Sequence, residues 1–143
     1  MCKEAAHVLH ALLPGGDYTL VDLGDDEFTV GRPHPMIDAR LRTERILAVG
    51  ADGAAAVLLL DVVLGYGSHP DPAGALLQAI DGARECAAED GRYLAVVASV
   101  CGTRGDPQNL AEQEAKLSAA GVVLAPSNAQ AARVAALIAG AER

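Results

Sequence analysis

Aromatic residues are nearly absent from this sequence, which has no Trp, one Phe and three Tyr. Proteins that bind single-stranded nucleic acid stack bases on aromatic side chains, so this scarcity argues against that class. Basic residues are also few, because 11 Lys and Arg oppose 19 Asp and Glu and leave a net charge of −8. A protein that neutralises nucleic-acid phosphates needs clustered cations. We therefore expect no nucleic-acid partner.

Cysteines and long apolar runs are scarce as well. The three cysteines, Cys2, Cys86 and Cys101, are odd in number and far apart, which suits free thiols in a reducing compartment. The longest apolar stretch, Ala54 to Leu60, is far shorter than the roughly 20 residues that span a bilayer. The first residues lack the basic start and long apolar core of a secretory signal. We expect a cytoplasmic protein without a membrane span.

What the sequence does contain is an alternation of apolar strands and helical patterns. Short apolar segments predict strands at 18–24, 55–64, 93–100 and 121–126. Each is followed by a helical segment, and an amphipathic helix is predicted over residues 5–12. Asp71 and Asp106, each before a proline, predict helix N-caps, and Ser127 with Gln130 predicts a capping box.

This alternation predicts an α/β fold in three layers, with helices on both faces of a mostly parallel sheet of about four to five strands. We expect residues 1–16 to form an N-terminal helix and linker, and residues 17–143 to form the α/β domain. Ligands of such folds bind beyond the carboxyl ends of the strands. The loops that qualify are 24–38, 65–71, 101–106 and 126–128.

Two of these loops share one pattern, in which an apolar strand is followed by a glycine pair, an Asp-Pro and a helix. Glycines let the backbone approach a ligand closely, and helix starts offer unpaired N–H groups to an anion. Gly-rich turns that merely reverse the chain are an equally good interpretation of either loop alone. The candidate anion-binding residues are Gly65, Gly67, Ser68, Gly102, Thr103, Ser127 and Asn128.

Four charged or titratable residues extend this candidate site. His69 is a candidate nucleophile or general acid/base, with a solvated loop histidine as the alternative, and Arg104 is a candidate catalytic cation. Arg32 and His34 lie between prolines that stiffen their loop, as expected if they meet a ligand. Cys101 at a strand end is more typical of a small buried residue than of a nucleophile.

An acidic turn, "VDLGDDEF", places Asp22, Asp25, Asp26 and Glu27 near the end of a predicted strand. Carboxylates are the ligands that magnesium prefers, but acidic turns are common and the spacing matches no EF-hand. We therefore expect no metal site.

Four stretches of the sequence resemble the C-terminal part of FdrA-family proteins: "VDLGDDEFTVGRPHPMID", "LLLDVVLGYGSHPDPAGAL", "LAVVASVCGTRGDPQNLAEQE" and "PSNAQAARVAAL". The likeness covers about residues 17 to 139. FdrA proteins are similar to the fused subunits of succinyl-CoA synthetase, so the resemblance implies a flavodoxin-like ligase domain. It also implies that the helices beginning at Asp71 and Asp106 take the place of helices that face a phosphorylated histidine in the ligases.

The sequence departs from those ligases at the histidine itself. The loop that carries the phosphohistidine in the ligases corresponds here to "CGTRGDPQ", which contains no histidine. His69 follows the preceding strand, so the ligase role does not transfer to it. The chain also lacks a G-x-G-x-x-G opening and a P-loop.

The resemblance thus implies a C-terminal domain or subunit of an FdrA-type acyl-CoA ligase that acts on a small anionic substrate. CoA and ATP are implied through other domains, and none of this chain's residues is expected to bind a cofactor by itself. The implied partner is a second copy or a CoA-binding or ATP-grasp-like subunit, and we expect it to cover part of the first helix. The alternatives are a carbamoyltransferase subunit in oxamate or allantoin breakdown and a non-catalytic remnant.

Overall fold

Three apolar segments form the central sheet of the protein. The computed structural model describes residues 1–141, and within them the strands are β1 (Val57–Val63), β2 (Ala95–Cys101) and β3 (Val123–Ala125). The strands are parallel and lie in the order β1-β2-β3. The predicted parallel sheet is confirmed, with three strands in place of the four to five expected.

Helices cover both faces of this sheet. They are α1 (Cys2–Leu12), α2 (Asp26–Thr29), α3 (Arg40–Ala51), α4 (Gly74–Glu89), α5 (Leu110–Ala119) and α6 (Asn128–Ala141). On one face, residues of α3, α4 and α5 pack with Leu60 and Val62 of β1 in the main core cluster. On the other face, α6 packs on Val97 and α1 packs on α6. The three-layer, flavodoxin-like α/β/α arrangement is therefore confirmed.

The predicted strand at 18–24 is wrong. This segment has no regular secondary structure, and none of the backbone hydrogen bonds described for residues 1–141 involves residues 18–21. Tyr18 and Leu20 pack instead in the cluster formed by α1, α6 and Leu59. The alternating apolar pattern of this segment comes from burial against helices. Burial of every second side chain gives the same sequence pattern in a strand and in an irregular segment, so the pattern alone did not separate the two.

The open edge of β1 is occupied by an arginine from α3. The Arg42 guanidinium donates to the backbone carbonyl of Asp61 and also lies 3.3 Å from its carboxylate. A side-chain hydrogen bond thus satisfies a carbonyl that a further strand on this edge would otherwise have paired.

One of the three predicted helix caps is confirmed, because the Ser127 hydroxyl accepts from the Gln130 N–H at 3.2 Å directly before α6. The Asp71 carboxylate accepts from the Gly74 N–H at 3.2 Å, but the N-cap position of α4 is Ala73, so Asp71 stabilises the turn that precedes the helix. The prediction that Asp106 caps the next helix is wrong. Its carboxylate turns back to the N–H and hydroxyl of Thr103, and α5 begins only at Leu110, after Asn109 in a left-handed conformation with φ of 59°.

Helices α3 and α4 pack closely against each other at Gly50. A Cβ added to Gly50 would lie 2.4 Å from the Cα and 2.5 Å from the carbonyl oxygen of Ala83. Both residues are buried, so neither backbone can move aside without disturbing the core. Only glycine lets these two helices pack at this distance.

We expect Gly50→Ala to lower the free energy of unfolding by about 1–3 kcal/mol, because the added methyl group forces α3 away from α4. Urea denaturation followed by circular dichroism measures the change. The matched control is Gly53→Ala, since nothing lies within 4 Å of a Cβ at that position. Equal stabilities of the two variants would contradict the close packing of α3 on α4.

Candidate functional site

The loops that follow β1 and β2 lie side by side at the carboxyl end of the sheet, where ligands of parallel α/β folds bind. Leu64 directly after β1 donates its N–H to the carbonyl of Cys101 at the end of β2, at 2.9 Å. Gly102 packs against the Leu64 side chain so closely that a Cβ would lie 2.7 Å from it. The two loops therefore leave the sheet in contact.

A buried glutamine joins the two loops beyond this point. Gln108 is 6% exposed, accepts from the Gly65 N–H at 3.0 Å and donates to the Gly65 carbonyl at 2.9 Å. Its amide also donates to the His69 carbonyl at 3.2 Å. This pairing uses both hydrogen-bonding groups of Gly65, as a neighbouring strand would. The loop after β1 is thus held by a side chain from the loop after β2.

A second buried glutamine fixes the start of α4. Gln113 is 2% exposed, accepts from the Ala73 N–H at 2.9 Å and donates to the Asp71 carboxylate at 3.0 Å. Lys116, on the same helix α5, lies 2.8 Å from that carboxylate. The hydrogen bond from Lys116 lowers the pKa of Asp71, and the bonds from Gln113 and the Gly74 N–H lower it further. The ionised Asp71 carboxylate is therefore paired with the Lys116 ammonium at a partly exposed position.

The His69 side chain is bonded within its own turn and lines a small cavity. Its Nδ1 accepts from the Asp71 N–H at 3.0 Å, and its ring lines a cavity of about 10 Å³ together with Met36, Arg42 and Val63. A cavity of this size holds about one water molecule. His69 therefore faces the 35–42 segment beside the open edge of β1.

Several of the amides expected to hold an anion are used within the protein. Gly65 pairs with Gln108, the Ser68 N–H donates to the Gly65 carbonyl at 3.2 Å, and the Thr103 N–H donates to Asp106 at 2.5 Å. The Ser68 hydroxyl is buried and has no hydrogen-bond partner in the described part of the chain. Gly67 has φ of 83° and an exposed position at the top of the loop.

The remaining predicted site residues are dispersed. Arg32 and Arg104 are exposed, and neither side chain makes a hydrogen bond or ion pair within residues 1–141. Asn128 donates to Glu4 at 2.6 Å and to the Met1 carbonyl at 3.0 Å, so α1 occupies the start of α6. The described structure thus shows no direct contact between His69 and Arg104.

The loop 34–40 brings one charged pair close to His69. The His69 N–H donates to the Met36 carbonyl at 2.7 Å. The hydrogen bonds from Arg40 lower the pKa of Asp38 to about 2, and the proximity of His69 contributes a smaller effect in the same direction. The 34–40 loop, which carries the predicted site residue His34, therefore adjoins the loop of His69.

Sequence reasoning missed the residues that hold the loops, Gln108, Gln113 and Lys116. One signal was present for Gln113, which lies three residues after Leu110 and four before Leu117, in the stripe that α5 buries. A polar residue inside an apolar stripe indicates a buried hydrogen-bonding role. No comparable signal marks Gln108, because it lies in the irregular turn before α5.

We expect Gln113→Leu to cost about 1–3 kcal/mol of unfolding free energy, because it leaves the Ala73 N–H buried without a partner. Thermal and urea denaturation measure this loss. The control is Gln78→Leu, which changes an exposed glutamine on α4. A Gln113→Leu variant as stable as the control would show that the buried amide contributes nothing to the loop.

Across the described part of the chain, no three His, Cys, Asp or Glu side chains gather in an arrangement that would hold a metal ion. Within residues 1–141, none of the helices has the length and hydrophobicity that crossing a bilayer requires.

Comparison of the sequence with known proteins shows the family of this chain. The family model for CoA-ligase matches residues 1–138. The uncharacterized protein YahF of Escherichia coli (strain K12) is 45% identical over 111 residues, which are 78% of this chain and 22% of YahF. The chain thus spans less than a quarter of the length of this relative. Because the family model covers residues 1–138 of the 143, the chain belongs to the CoA-ligase family.

Proposed function

We propose that this chain is the C-terminal domain or a subunit of an FdrA-type, succinyl-CoA synthetase-like acyl-CoA ligase. In this proposal it binds a phosphate or another small anion at the loops after β1 and β2. The observation that carries it is the rigid pair of loops at the carboxyl end of the sheet, joined by Gln108. The CoA-ligase family match supports the ligase part.

The anion contacts in this proposal come from groups that the protein leaves unused. Arg104 supplies an unpaired guanidinium, and Gly67 supplies a backbone approach that its positive φ permits. Asp71 does not repel the ligand strongly, because Lys116 and Gln113 already bind its carboxylate. Gly65 and Ser68 shape the loop instead of donating their N–H groups to the ligand.

The described residues do not fit CoA or a nucleotide. The cavity at His69 has a volume of about 10 Å³, far too small for either molecule. An open depression beside it is lined by Gly24, Asp25, Asp26 and Glu27, and these carboxylates repel anionic cofactors. We therefore propose that other domains or a partner subunit hold CoA and nucleotide, and that the assembly acts in the cytoplasm.

Because the proposal assigns the CoA and nucleotide sites to other domains or subunits, we expect the purified chain to form no acyl-CoA from succinate, CoA and ATP. A coupled assay for CoA thioester, or chromatography of the product, measures this directly. The positive control is a complete succinyl-CoA synthetase under the same conditions. Sustained turnover by the chain alone would contradict the proposed division between domains.

Arg104→Ala tests the anion site. We expect it to weaken binding of inorganic phosphate by about 1–3 kcal/mol, because a charged hydrogen bond to the anion is lost. Isothermal titration calorimetry or NMR titration measures the affinity. The matched control is Arg133→Ala, which removes an exposed arginine from α6, away from these loops.

Two results would contradict this anion site. One is an unchanged affinity in Arg104→Ala together with normal binding by the original chain. The other is the absence of phosphate binding to the original chain at millimolar phosphate. In that case the loops after β1 and β2 act only as well-packed turns.

A further inference from the structure

Three Asp-Gly pairs occur in the sequence, at residues 52–53, 81–82 and 90–91. Glycine after aspartate leaves the backbone nitrogen unshielded, because glycine has no Cβ. This nitrogen can attack the carboxyl carbon of the preceding aspartate and close a succinimide ring. Since the three pairs have the same local chemistry, the folded structure decides how easily each of them reacts.

Ring closure requires the glycine nitrogen to turn towards the aspartate side chain. The backbone has to rotate about the bond between the aspartate Cα and its carbonyl carbon, and the glycine N–H has to leave any hydrogen bond that it makes. A helix, a bonded turn or close packing on the glycine therefore opposes the reaction, because the rotation breaks those contacts.

Two of the pairs are held by such contacts. Gly82 lies inside α4, where its N–H belongs to the helical hydrogen bonds, and a Cβ at this position would lie 2.9 Å from a methyl group of Leu47. The Gly91 N–H donates to a carbonyl near the end of α4 at 2.9 Å, and the Asp90 carboxylate lies 3.3 Å from the Arg92 guanidinium. Ring closure at either pair thus disrupts the fold locally.

The pair at residues 52–53 is restrained least. Asp52 and Gly53 are exposed in the turn between α3 and β1, and nothing lies within 4 Å of a Cβ at Gly53. None of the hydrogen bonds described within residues 1–141 uses the Gly53 N–H. Asp52 has ψ of 109°, so ring closure needs a rotation. This rotation breaks two bonds of the turn, from the Ala55 N–H to the Asp52 carbonyl at 3.2 Å and from the Ala54 N–H to the Asp52 carboxylate at 3.0 Å.

We propose that Asp52 is a site of spontaneous isomerisation to isoaspartate in the folded protein, and that Asp81 and Asp90 isomerise more slowly. The Gly53 nitrogen bonds to Cγ of Asp52 and gives up its proton, and the carboxyl oxygen leaves as water. Water then opens the ring at one of its two carbonyl carbons. Attack at the side-chain carbonyl restores aspartate, whereas attack at the backbone carbonyl leaves the chain running through Cβ and Cγ. Water is released and taken up again, and nothing is oxidised.

The product lengthens the backbone of this turn by one carbon atom. Arg92 donates to the Gly50 carbonyl at 3.0 Å and to the Ala55 carbonyl at 3.1 Å, so the two ends of the turn are held together by one guanidinium. An additional carbon between these ends disturbs both hydrogen bonds. We therefore expect the isomerised chain, separated by chromatography, to unfold at a lower temperature than the original chain.

Ageing of the folded chain in mildly acidic buffer at physiological temperature tests the site. Electron-transfer dissociation of proteolytic peptides distinguishes isoaspartate from aspartate at each position. We expect isoaspartate at Asp52 to exceed that at Asp81 and at Asp90 by at least about fivefold, because a bonded or packed glycine reacts only when its contacts open. The reference is the same chain unfolded in urea, in which the three pairs are expected to react at similar rates.

Gly53→Ala provides the matched variant. Nothing lies within 4 Å of the added Cβ, so the fold is expected to be kept. The methyl group hinders the approach of the residue 53 nitrogen to Cγ of Asp52. We expect isoaspartate at Asp52 to fall by at least about fivefold in this variant. Circular dichroism of the aged samples establishes that both chains stay folded.

Two results would overturn the inference. One is as much isoaspartate at Asp81 or Asp90 as at Asp52 in the folded chain. The other is a folded chain without isoaspartate at Asp52 after incubation long enough for the unfolded chain to isomerise measurably at all three pairs.

Discussion

The carboxamide of Gln108 is the contact on which the arrangement of the loops depends. It replaces a missing strand neighbour for Gly65 and reaches the His69 carbonyl in the next turn. A buried amide with all its hydrogen bonds made holds two loops in one relative position, and an incompletely bonded one would be costly. Gln108 thus helps to fix the position of His69, whereas Gln113 and Asp71 fix the start of α4.

The glutamine and lysine of α5 also affect the charge beside the loop after β1. The chain is acidic overall, with a net charge of −8, yet the carboxylate nearest the loop after β1 is bound to a lysine and a glutamine. The exposed Arg32 and Arg104 are in none of the ion pairs that the structure describes within residues 1–141. The pairing of Asp71 with Lys116 reduces the negative charge at short range beside the loop after β1.

Local sequence patterns predicted most of the fold and little of the site. The three paired strands and the helices after them follow from continuous apolar runs, proline and capping residues, all of which act over a few neighbours. The segment 18–24 has the same apolar alternation but packs on α1 and α6, and only the tertiary contact distinguishes the two outcomes. Asp106 failed as a cap for a similar reason, since Thr103 offers its carboxylate closer donors. The Gln108 contacts join residues 43 and 39 positions apart, which no local pattern encodes.

The arginine on the open edge of β1 has a consequence for assembly. A parallel or antiparallel strand from another molecule needs the outward carbonyls of β1 as acceptors, and Arg42 already donates to the one at Asp61. The charged guanidinium would have to leave an ion pair and be replaced by a neutral N–H, which is unfavourable. The Arg42 contact therefore opposes the pairing of another strand on β1 at Asp61.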